Sequence, residues 1–509
     1  LDVVQDEAVE LLADGSRVQG VLTRHGSHYE ARAVVLCSGT YLGGRVYVGE
    51  ASFPSGPMGQ MPAERLLNSL KALGLRLGYM RTDTPPRLNL DTLDLSSAAP
   101  QRSEEEPLCF DIWGEKRVYR SDYACWFSRT TERTHEILER NIHRSPLVTG
   151  RLRALGPRYC PSIEDKFLRF PDRRTHPIVF EPVSADSKEV YVQNFSTSLP
   201  YDVQVEMVRS LPGCAKAKVI RPGYGIHYAY LTPDQLSPSL ENRELRGFFC
   251  AGQVNGTSGY EEAAAQGLLA GINAALSVRG EPPLVLSRSD GYLGVLADDL
   301  TTKSTDEPYR MLTSRCEHRL LMRHDNAARR LSPLARRLGL LSPERWAELE
   351  RRWEHEDREV ARLESVRIVP SEETDRLCEA SGAEPPRESL TAAAFLRHRG
   401  ATYPLVEKLI GEPGPQGSAL EPDSAFYVET SLRYAGYLEK EARLAERMAG
   451  LDGVLVPEGF NYAAVKGLSS EGRQKLLRFR PRSLGAALRI SGVTPADVQL
   501  LSVVVRRMG

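Results

Sequence analysis

The densest set of reactive side chains in the sequence lies in Gly156–Phe170, GPRYCPSIEDKFLRF. Cys160 is a candidate nucleophile there, crowded beside a proline-bounded turn by Arg158, Glu164, Asp165, Lys166 and Arg169. A thiolate is the reactive form of cysteine. Arg158 and Lys166 would lower its pKa while Glu164 and Asp165 would raise it, so residue type leaves the sign open. The alternative is a buried, inert cysteine. His227, in the stretch RPGYGIHY from Arg221 to Tyr228, is read as a hydrogen-bonded structural residue. That stretch is read as a glycine-bearing loop joining two lobes, because its GxG lacks the helix that a phosphate-binding turn requires.

A second kind of chemistry is written in Gly247–Ala275, GFFCAGQVNGTSGYEEAAAQGLLAGINAA. It reads as a strand, a glycine-rich turn and a helix, the local geometry for holding a dinucleotide at a strand's carboxyl end. Gly252 lets a ligand approach the backbone, and Gln253 follows it. Ala263, Gly267, Ala270, Gly271 and Ala274 recur at helical spacing, which predicts a small-residue face packed closely against another backbone. An ordinary strand, turn and helix without a ligand is the alternative. Ser38-Gly39-Thr40, after the apolar run AVVLC, has the pattern of a second crossing beneath the same cofactor.

The elements that must position these residues follow from pattern. Val3–Val9 and Val18–Leu22 flank an Asp14-Gly15 turn and predict a hairpin, followed by a buried strand over Ala33–Leu36. Ala63–Leu73 and Thr131–Asn141 read as helices, and Ile178–Glu181 and Glu189–Val192 as strands. Beyond about Pro283 the pattern becomes helical, with Trp346, Leu349, Trp353, Val360 and Leu363 forming one stripe of a long helix. Ser314–Arg337 and Lys466–Arg489 are locally cationic, which suits RNA or an ordinary solvated face, and Tyr427, Tyr434 and Tyr437 suit base stacking or a core.

Bulk composition narrows the class. The chain has 509 residues, enough for about three domains, and its 66 basic and 67 acidic residues leave a net charge of −1. Any nucleic-acid site must therefore be a local patch. Eight cysteines without CxxC pairing argue against a zinc module or a secreted disulfide framework and favour a reducing cytoplasm, with no metal expected. No apolar run approaches membrane-spanning length, so no membrane contact is expected. The chain starts at Leu1, which reads as a processed protein or a fragment.

The stretches GPRYCPSIEDKFLRF, STSLPYDVQ, RPGYGIHY, AGQVNGTSGYEEAAAQG, EHRLLMRHDNA and RPRSLGAALRISGVTPAD, in this order of chemistry, resemble the MnmG (GidA) family of tRNA-modifying flavoproteins across essentially the whole chain. The resemblance implies an α/β fold: a Rossmann-like FAD-binding domain, incomplete at the amino terminus, with an inserted α+β lobe and an α-helical carboxyl-terminal domain. The boundaries expected are 1–90 with 245–285 for the FAD domain, 91–244 for the lobe, 286–450 for a helical domain and 451–509 for a small helical domain. Family members bind FAD, take reducing equivalents from NADH and act with the GTPase MnmE, as a homodimer within a heterotetramer. They use methylenetetrahydrofolate and glycine or ammonium to build an aminomethyl or carboxymethylaminomethyl group on carbon 5 of the wobble uridine of tRNA.

Carried over by motif, Gln253 matches a family FAD contact and Val9 one on the adenosine side, with Gly39 and Gly252 at the cofactor crossings. Gly156, Pro157, Arg158, Tyr159, Cys160, Pro161, Ser162, Ile163, Glu164, Asp165, Lys166, Phe167, Leu168, Arg169 and Phe170 match the NAD segment. Cys160 matches one of two family cysteines held to act by addition to the uracil ring or by proton transfer. Arg315, Arg319, Arg323, Lys466, Arg478 and Arg480 fall in the region that contacts tRNA and MnmE.

The sequence departs from the family in three places. The amino-terminal GxGxxG and the other reactive cysteine are absent from these residues, so weak FAD binding and an inactive polypeptide are expected. Pro54–Met61 replaces a glycine- and arginine-rich loop, and TDTPPR replaces TGTPPR, placing Asp83 where a glycine is expected. Two rivals remain: a TrmFO-like folate-dependent tRNA uridine methyltransferase, disfavoured by the long helical tail, and a non-catalytic module binding tRNA and a GTPase.

Overall fold

The computed structural model describes residues 1–102, 109, 111–114, 124–157, 161–303, 307–411, 413–457 and 459–506. Arg158, Tyr159 and Cys160 lie outside the described residues. The chain divides into two compact units, the first made of Leu1–Val285, Leu296–Met311 and Gln474–Arg480, the second of Leu286–Val295, Leu312–Arg473 and Pro481–Gly509. The helix Tyr292–Thr302 has residues in both units.

In the first unit, Ala8–Asp14 and Arg17–Thr23 form the hairpin, with Asp14 opposite Arg17 across Gly15-Ser16. Gly15 has φ +56°, as a two-residue hairpin turn demands. The first strand begins later than the apolar pattern predicts: Val3 and Val4 are exposed and outside it. The pattern failed because the pairing register begins at Ala8 opposite Thr23, so hydrophobicity upstream has no partner strand. Glu64–Ala72 is helical and buries Leu66, Leu67 and Leu70, worth roughly 1.5–3 kcal/mol each when fully removed from water. These leucines join Leu11, Val18, Leu42, Phe248 and Cys250 in one core.

Val34–Leu36 and Phe248–Cys250 pair in parallel, as strands joined by a crossover connection do. A four-stranded antiparallel sheet runs in the order Ala51–Pro54, Arg45–Val48, Tyr224–Leu231, Leu77–Thr84. Here the reading of RPGYGIHY as a connecting loop is corrected: most of it is an interior strand. Gly225 stands opposite both Tyr47 and Asp83, and a Cβ there would lie 2.9 Å from Asp83 Oδ1. The glycine serves close packing within the sheet and not a turn, which is why its GxG spacing misled.

The inserted lobe is a six-stranded antiparallel sheet, with Glu189–Gln193 and Pro177–Pro182 at its centre. The helix Glu132–Asn141 is begun by a reciprocal cap between Thr131 and Thr134, and lays Ile137 and Leu138 into a core with Phe180, Val190 and Phe195.

The second unit is helical. Pro343–Ser365 starts on the Ser342 cap and buries Leu349 and Leu363, while Trp346 and Trp353 meet edge to face at 5.4 Å. Leu363 joins Phe395, Leu405, Val406 and Val428 in this unit's core. Among the described residues no helix is long and apolar enough to cross a membrane.

Candidate functional site

The parallel pair brings two chain crossings side by side. Ala251 N donates to Leu36 O at 3.0 Å, so Ser38-Gly39 and Gly252-Gln253 leave the same edge of the layer. Gly39 has φ +53° and Gly252 has φ +85°, both in the region that glycine reaches without strain. A Cβ on Gly39 would stand 3.9 Å from Gln253 Oε1, which places the two carried-over positions in one cradle. Tyr228 is buried beside Gln253, and burial pushes its phenol well above the ordinary value. Val9 is buried in the separate hairpin sheet, at an irregularity between Ala8 and Glu10.

Past Gly252 the chain makes a short turn to Asn255 and then, through Gly256 at φ +80°, reaches the helix Tyr260–Arg279. Its buried residues are Glu262, Gln266, Leu269, Ala270, Asn273 and Leu276. The small-residue face is therefore a correction: among the described residues, nothing lies within 4 Å of a Cβ at Gly267 or Gly271. Polar side chains lock the helix instead. Asn255 Nδ2 donates to Gln266 Oε1 at 3.0 Å, Gln266 Nε2 donates to Thr257 Oγ1 at 3.0 Å, and Met311 N donates to Glu262 Oε1 at 2.8 Å. Sequence reasoning missed Asn255, Thr257 and Gln266. The available signal was Gln266, a polar residue on an otherwise small, apolar helix.

Among the described residues, three buried atoms of these crossings and the following turn have no hydrogen-bond partner: Ser38 Oγ, Asn255 Oδ1 and Ser258 Oγ. Buried polar atoms are normally paired. Orphans flanking two glycine crossings at strand ends fit the polar edge of a planar dinucleotide cofactor.

The other constellation is built on the helix Ile163–Arg169. Ser162 caps it: Asp165 N donates to Ser162 Oγ at 3.1 Å, while Ser162 N donates to Asp165 Oδ2 at 3.3 Å. Glu164 is fully buried, and its Oε1 accepts from Ser198 N at 2.8 Å, Thr197 Oγ1 at 3.1 Å and Ser198 Oγ at 3.2 Å. Burial nonetheless holds the Glu164 carboxyl above its ordinary range, outweighing those donors. Lys166 Nζ donates to Asn194 O at 2.7 Å, and Phe167 packs on the lobe core. Leu168, Arg169 and Phe170 are exposed, Gly156, Pro157, Pro161, Ser162 and Ile163 are buried or half-buried, and Arg158, Tyr159 and Cys160 lie outside the described residues.

Arg81, 6% exposed, completes the cluster from the Leu77–Thr84 strand. It donates through Nη2 to Asp165 Oδ2 at 2.8 Å, through Nε to Ala154 O at 3.1 Å and through Nη1 to Asp83. Asp83's side chain is wholly buried, and burial, partly offset by Arg81, pushes its carboxyl up to about 7. Among the described residues, Asp83 Oδ1 and Glu164 Oε2 are both buried without partners. Nearby, burial lowers His176 to about 4, and it stacks on His135 at 5.3 Å. The sequence could not reveal Arg81's place in the cluster: two of its three side-chain partners lie 73 and 84 residues away.

The cationic stretches look different once folded. Arg323 is held by Asp325 at 2.8 Å, Arg329 by Asp357 at 2.7 Å and by the Tyr427 hydroxyl at 2.9 Å, and Arg336 by Glu350 at 3.7 Å while lying over the Trp346 ring. Arg315 is half-buried and its carbonyl accepts from Arg288 at 2.9 Å. Arg478 pairs with Asp234 at 3.1 Å. Arg319, Lys466 and Arg480 are exposed, as is Tyr437. Much of the positive charge that is unbalanced along the sequence is balanced by acids from other helices.

Known proteins resemble the chain over nearly its whole length. The family described as glucose inhibited division protein A matches residues 1–282. The MnmG/GidA C-terminal helical domain matches 343–442, and the MnmG/GidA C-terminal helical bundle matches 444–509. The chain is 45% identical over 504 residues to the tRNA uridine 5-carboxymethylaminomethyl modification enzyme MnmG of Heliobacterium modesticaldum, spanning 99% of this chain and 79% of that one. It is 43% identical over 504 residues to the MnmG of Bacillus subtilis, again spanning 99% and 79%. The solved structure of Aquifex aeolicus GidA superposes with a TM-score of 0.88 at 38% identity, covering 99% of this chain and 79% of that chain. With both glycine crossings, the capped helix Ile163–Arg169 and all three matched regions in one polypeptide, the chain belongs to the MnmG/GidA family of tRNA-modifying enzymes.

Proposed function

We propose that this chain is the FAD- and NADH-dependent subunit that modifies carbon 5 of the wobble uridine of tRNA in the cytoplasm. It acts with the GTPase MnmE as a homodimer within a larger assembly. The added aminomethyl or carboxymethylaminomethyl group draws its one-carbon unit from methylenetetrahydrofolate. The observation that carries this reading is the cradle in which Gly39 faces Gln253 across paired strand ends, with Ser38 Oγ, Asn255 Oδ1 and Ser258 Oγ unpartnered around it.

Gly39, Gly252 and Gln253 would hold FAD, with Val9 toward the adenosine side. When bound, the flavin supplies the redox chemistry, and the protein's task is orientation and exclusion of water. The crossings let the backbone approach the ring without a Cβ between them. Asn255, Thr257 and Gln266 are tied to one another, and a bound flavin would meet fixed dipoles there. Gly156–Phe170 would receive NADH, and Cys160 would act on the uracil ring as nucleophile or proton carrier. Arg319, Lys466 and Arg480 are the exposed cations offered to tRNA phosphates.

The test is Cys160→Ser in the protein at the full length of its relatives, of which this chain spans 79%, read by mass spectrometry of tRNA nucleosides and by visible flavin absorbance. The expected result is loss of the wobble modification with flavin retained. Retained modification would remove Cys160 from the reaction, and loss of ribothymidine on gene deletion, with the wobble group intact, would refute the assigned product.

A further inference from the structure

We propose that Tyr309 is a positioning residue for the bound flavin, its backbone strapping the turn that follows the second glycine crossing and its hydroxyl fixing that strap to Asp299. The inference rests on the reading that Gly252 and Gln253 hold FAD, and all of its residues belong to the first unit. Tyr309 N donates to Gly256 O and Ser258 N donates to Tyr309 O, each at 2.9 Å, so that Thr257 is held from both sides. The strap continues onto the helix Tyr260–Arg279: Met311 N donates to Glu262 Oε1 at 2.8 Å, and Arg310 Nε lies 3.5 Å from the same oxygen. Gly259, at φ +142°, lets both side chains close over the chain there, because a Cβ would collide with Glu262 Oε2 and Arg310 Nη1.

The strap is itself anchored in the interior. Tyr309 is 3% exposed, and its hydroxyl donates to Asp299 Oδ2 at 2.8 Å. Asp299 is wholly buried, and its Oδ1 accepts from Lys303 Nζ at 2.6 Å. A hydrogen bond to a buried carboxylate is stronger than one between neutral groups, so this is a firm anchor. The strapped turn carries Thr257 Oγ1, which accepts from Gln266 Nε2 at 3.0 Å, and two of the buried atoms without a partner among the described residues, Asn255 Oδ1 and Ser258 Oγ. The backbone of the turn is thus fixed by a segment distant in sequence, and the place of those atoms relative to Gln253 depends on Tyr309 as well as on local conformation. Dipoles already in place need no rearrangement when a ligand arrives, which is how a residue acting through the turn changes the affinity and surroundings of the flavin.

Phenylalanine at this position keeps the ring and the backbone bonds and removes only the anchor to Asp299. The experiment compares Tyr309→Phe with the unaltered protein, both at the full length of the relatives, of which this chain spans 79%. It reads amide hydrogen exchange of the apoprotein, FAD titration, visible circular dichroism of the bound flavin, and thermal unfolding. The expected result is roughly tenfold faster exchange in 254–260 with 177–182 unchanged, an FAD Kd weakened about fivefold, and an altered flavin dichroism band. Unchanged exchange in 254–260 overturns the strap. A lower unfolding temperature with FAD Kd and dichroism unaltered overturns the positioning role, because the hydroxyl would then serve stability alone. If Tyr309→Phe does not fold, Glu262→Ala removes the Met311 tie, and unchanged exchange in 254–260 with unaltered FAD Kd there overturns the proposal. Failure of the unaltered protein to bind FAD refutes the reading of Gly252 and Gln253 and the positioning role with it, while the strap is still judged by exchange in the apoprotein.

Discussion

Replacing Asp83 by asparagine should remove a specific pH dependence from the first unit's stability. The carboxyl's ordinary value is 3.8, and burial lifts it to about 7 in the fold. Below pH 3.8 folded and unfolded chains both hold the proton. Between that value and about 7 only the folded chain holds it, so stability falls as pH rises through this window, and above it the loss is complete. Roughly three pH units of differential proton binding, at about 1.4 kcal/mol each, amount to about 4 kcal/mol across the window. Asparagine keeps an oxygen for Arg81 and carries no such titration. Native-state hydrogen exchange of the Pro177–Pro182 strand, corrected for the intrinsic pH dependence, reads the stability of this unit. The asparagine chain should gain on the unaltered one by about 4 kcal/mol between pH 4 and pH 8, with most of the gain below pH 7. Parallel stability curves for the two chains would refute the reasoning, for they would mean that Asp83 ionises as freely in the fold as in water.

Three further outcomes follow from the geometry. Gly252→Ala has room for its methyl, which would lie 3.5 Å from Ala263 Cβ, but must hold φ +85°; we expect a stability cost of about 1–2 kcal/mol and a larger proportional loss of bound flavin, read as visible absorbance per protein. Glu164→Ala strands Ser198 N–H and two hydroxyls in the lobe and should cost about 2–4 kcal/mol by chemical unfolding, whereas a cost under about 0.5 kcal/mol would show that water replaces the carboxylate. Lys466→Ala should reduce the slope of log affinity for tRNA against log salt by about 1, while Arg329→Ala, whose charge is spent on Asp357 and Tyr427, should lower thermal stability and leave that slope unaltered.

The reach of the sequence is clear from particular elements. Local rules were enough for the hairpin turn at Gly15, the helix after Thr131, and the strand, turn and helix of Gly247–Ala275, because these depend on neighbours within a few residues. The long helix with Trp346, Leu349 and Leu363 on one stripe was equally legible, since its period is a property of the helix itself. Where a segment's role depended on what lies across from it, the sequence misled. Gly225 reads as a loop glycine until Asp83 and Tyr47 are set opposite it, and Gly267 and Gly271 read as a packing face until Glu262, Gln266 and Asn273 are seen to be the buried side.

The sequence by itself thus determined the reactive inventory: Cys160 among charged neighbours, two glycine crossings, and a helical carboxyl-terminal half. Tertiary structure alone decided their environment. Arg81 finds Asp165 and Ala154 only after the chain folds back, and Asp83 acquires its raised carboxyl only by burial. The arginines of Ser314–Arg337 lose much of their free charge to Asp357 and Glu350. The reason is physical: caps and periodicity are set by bonds spanning a few residues, whereas desolvation and charge pairing depend on distances that only the complete packing defines.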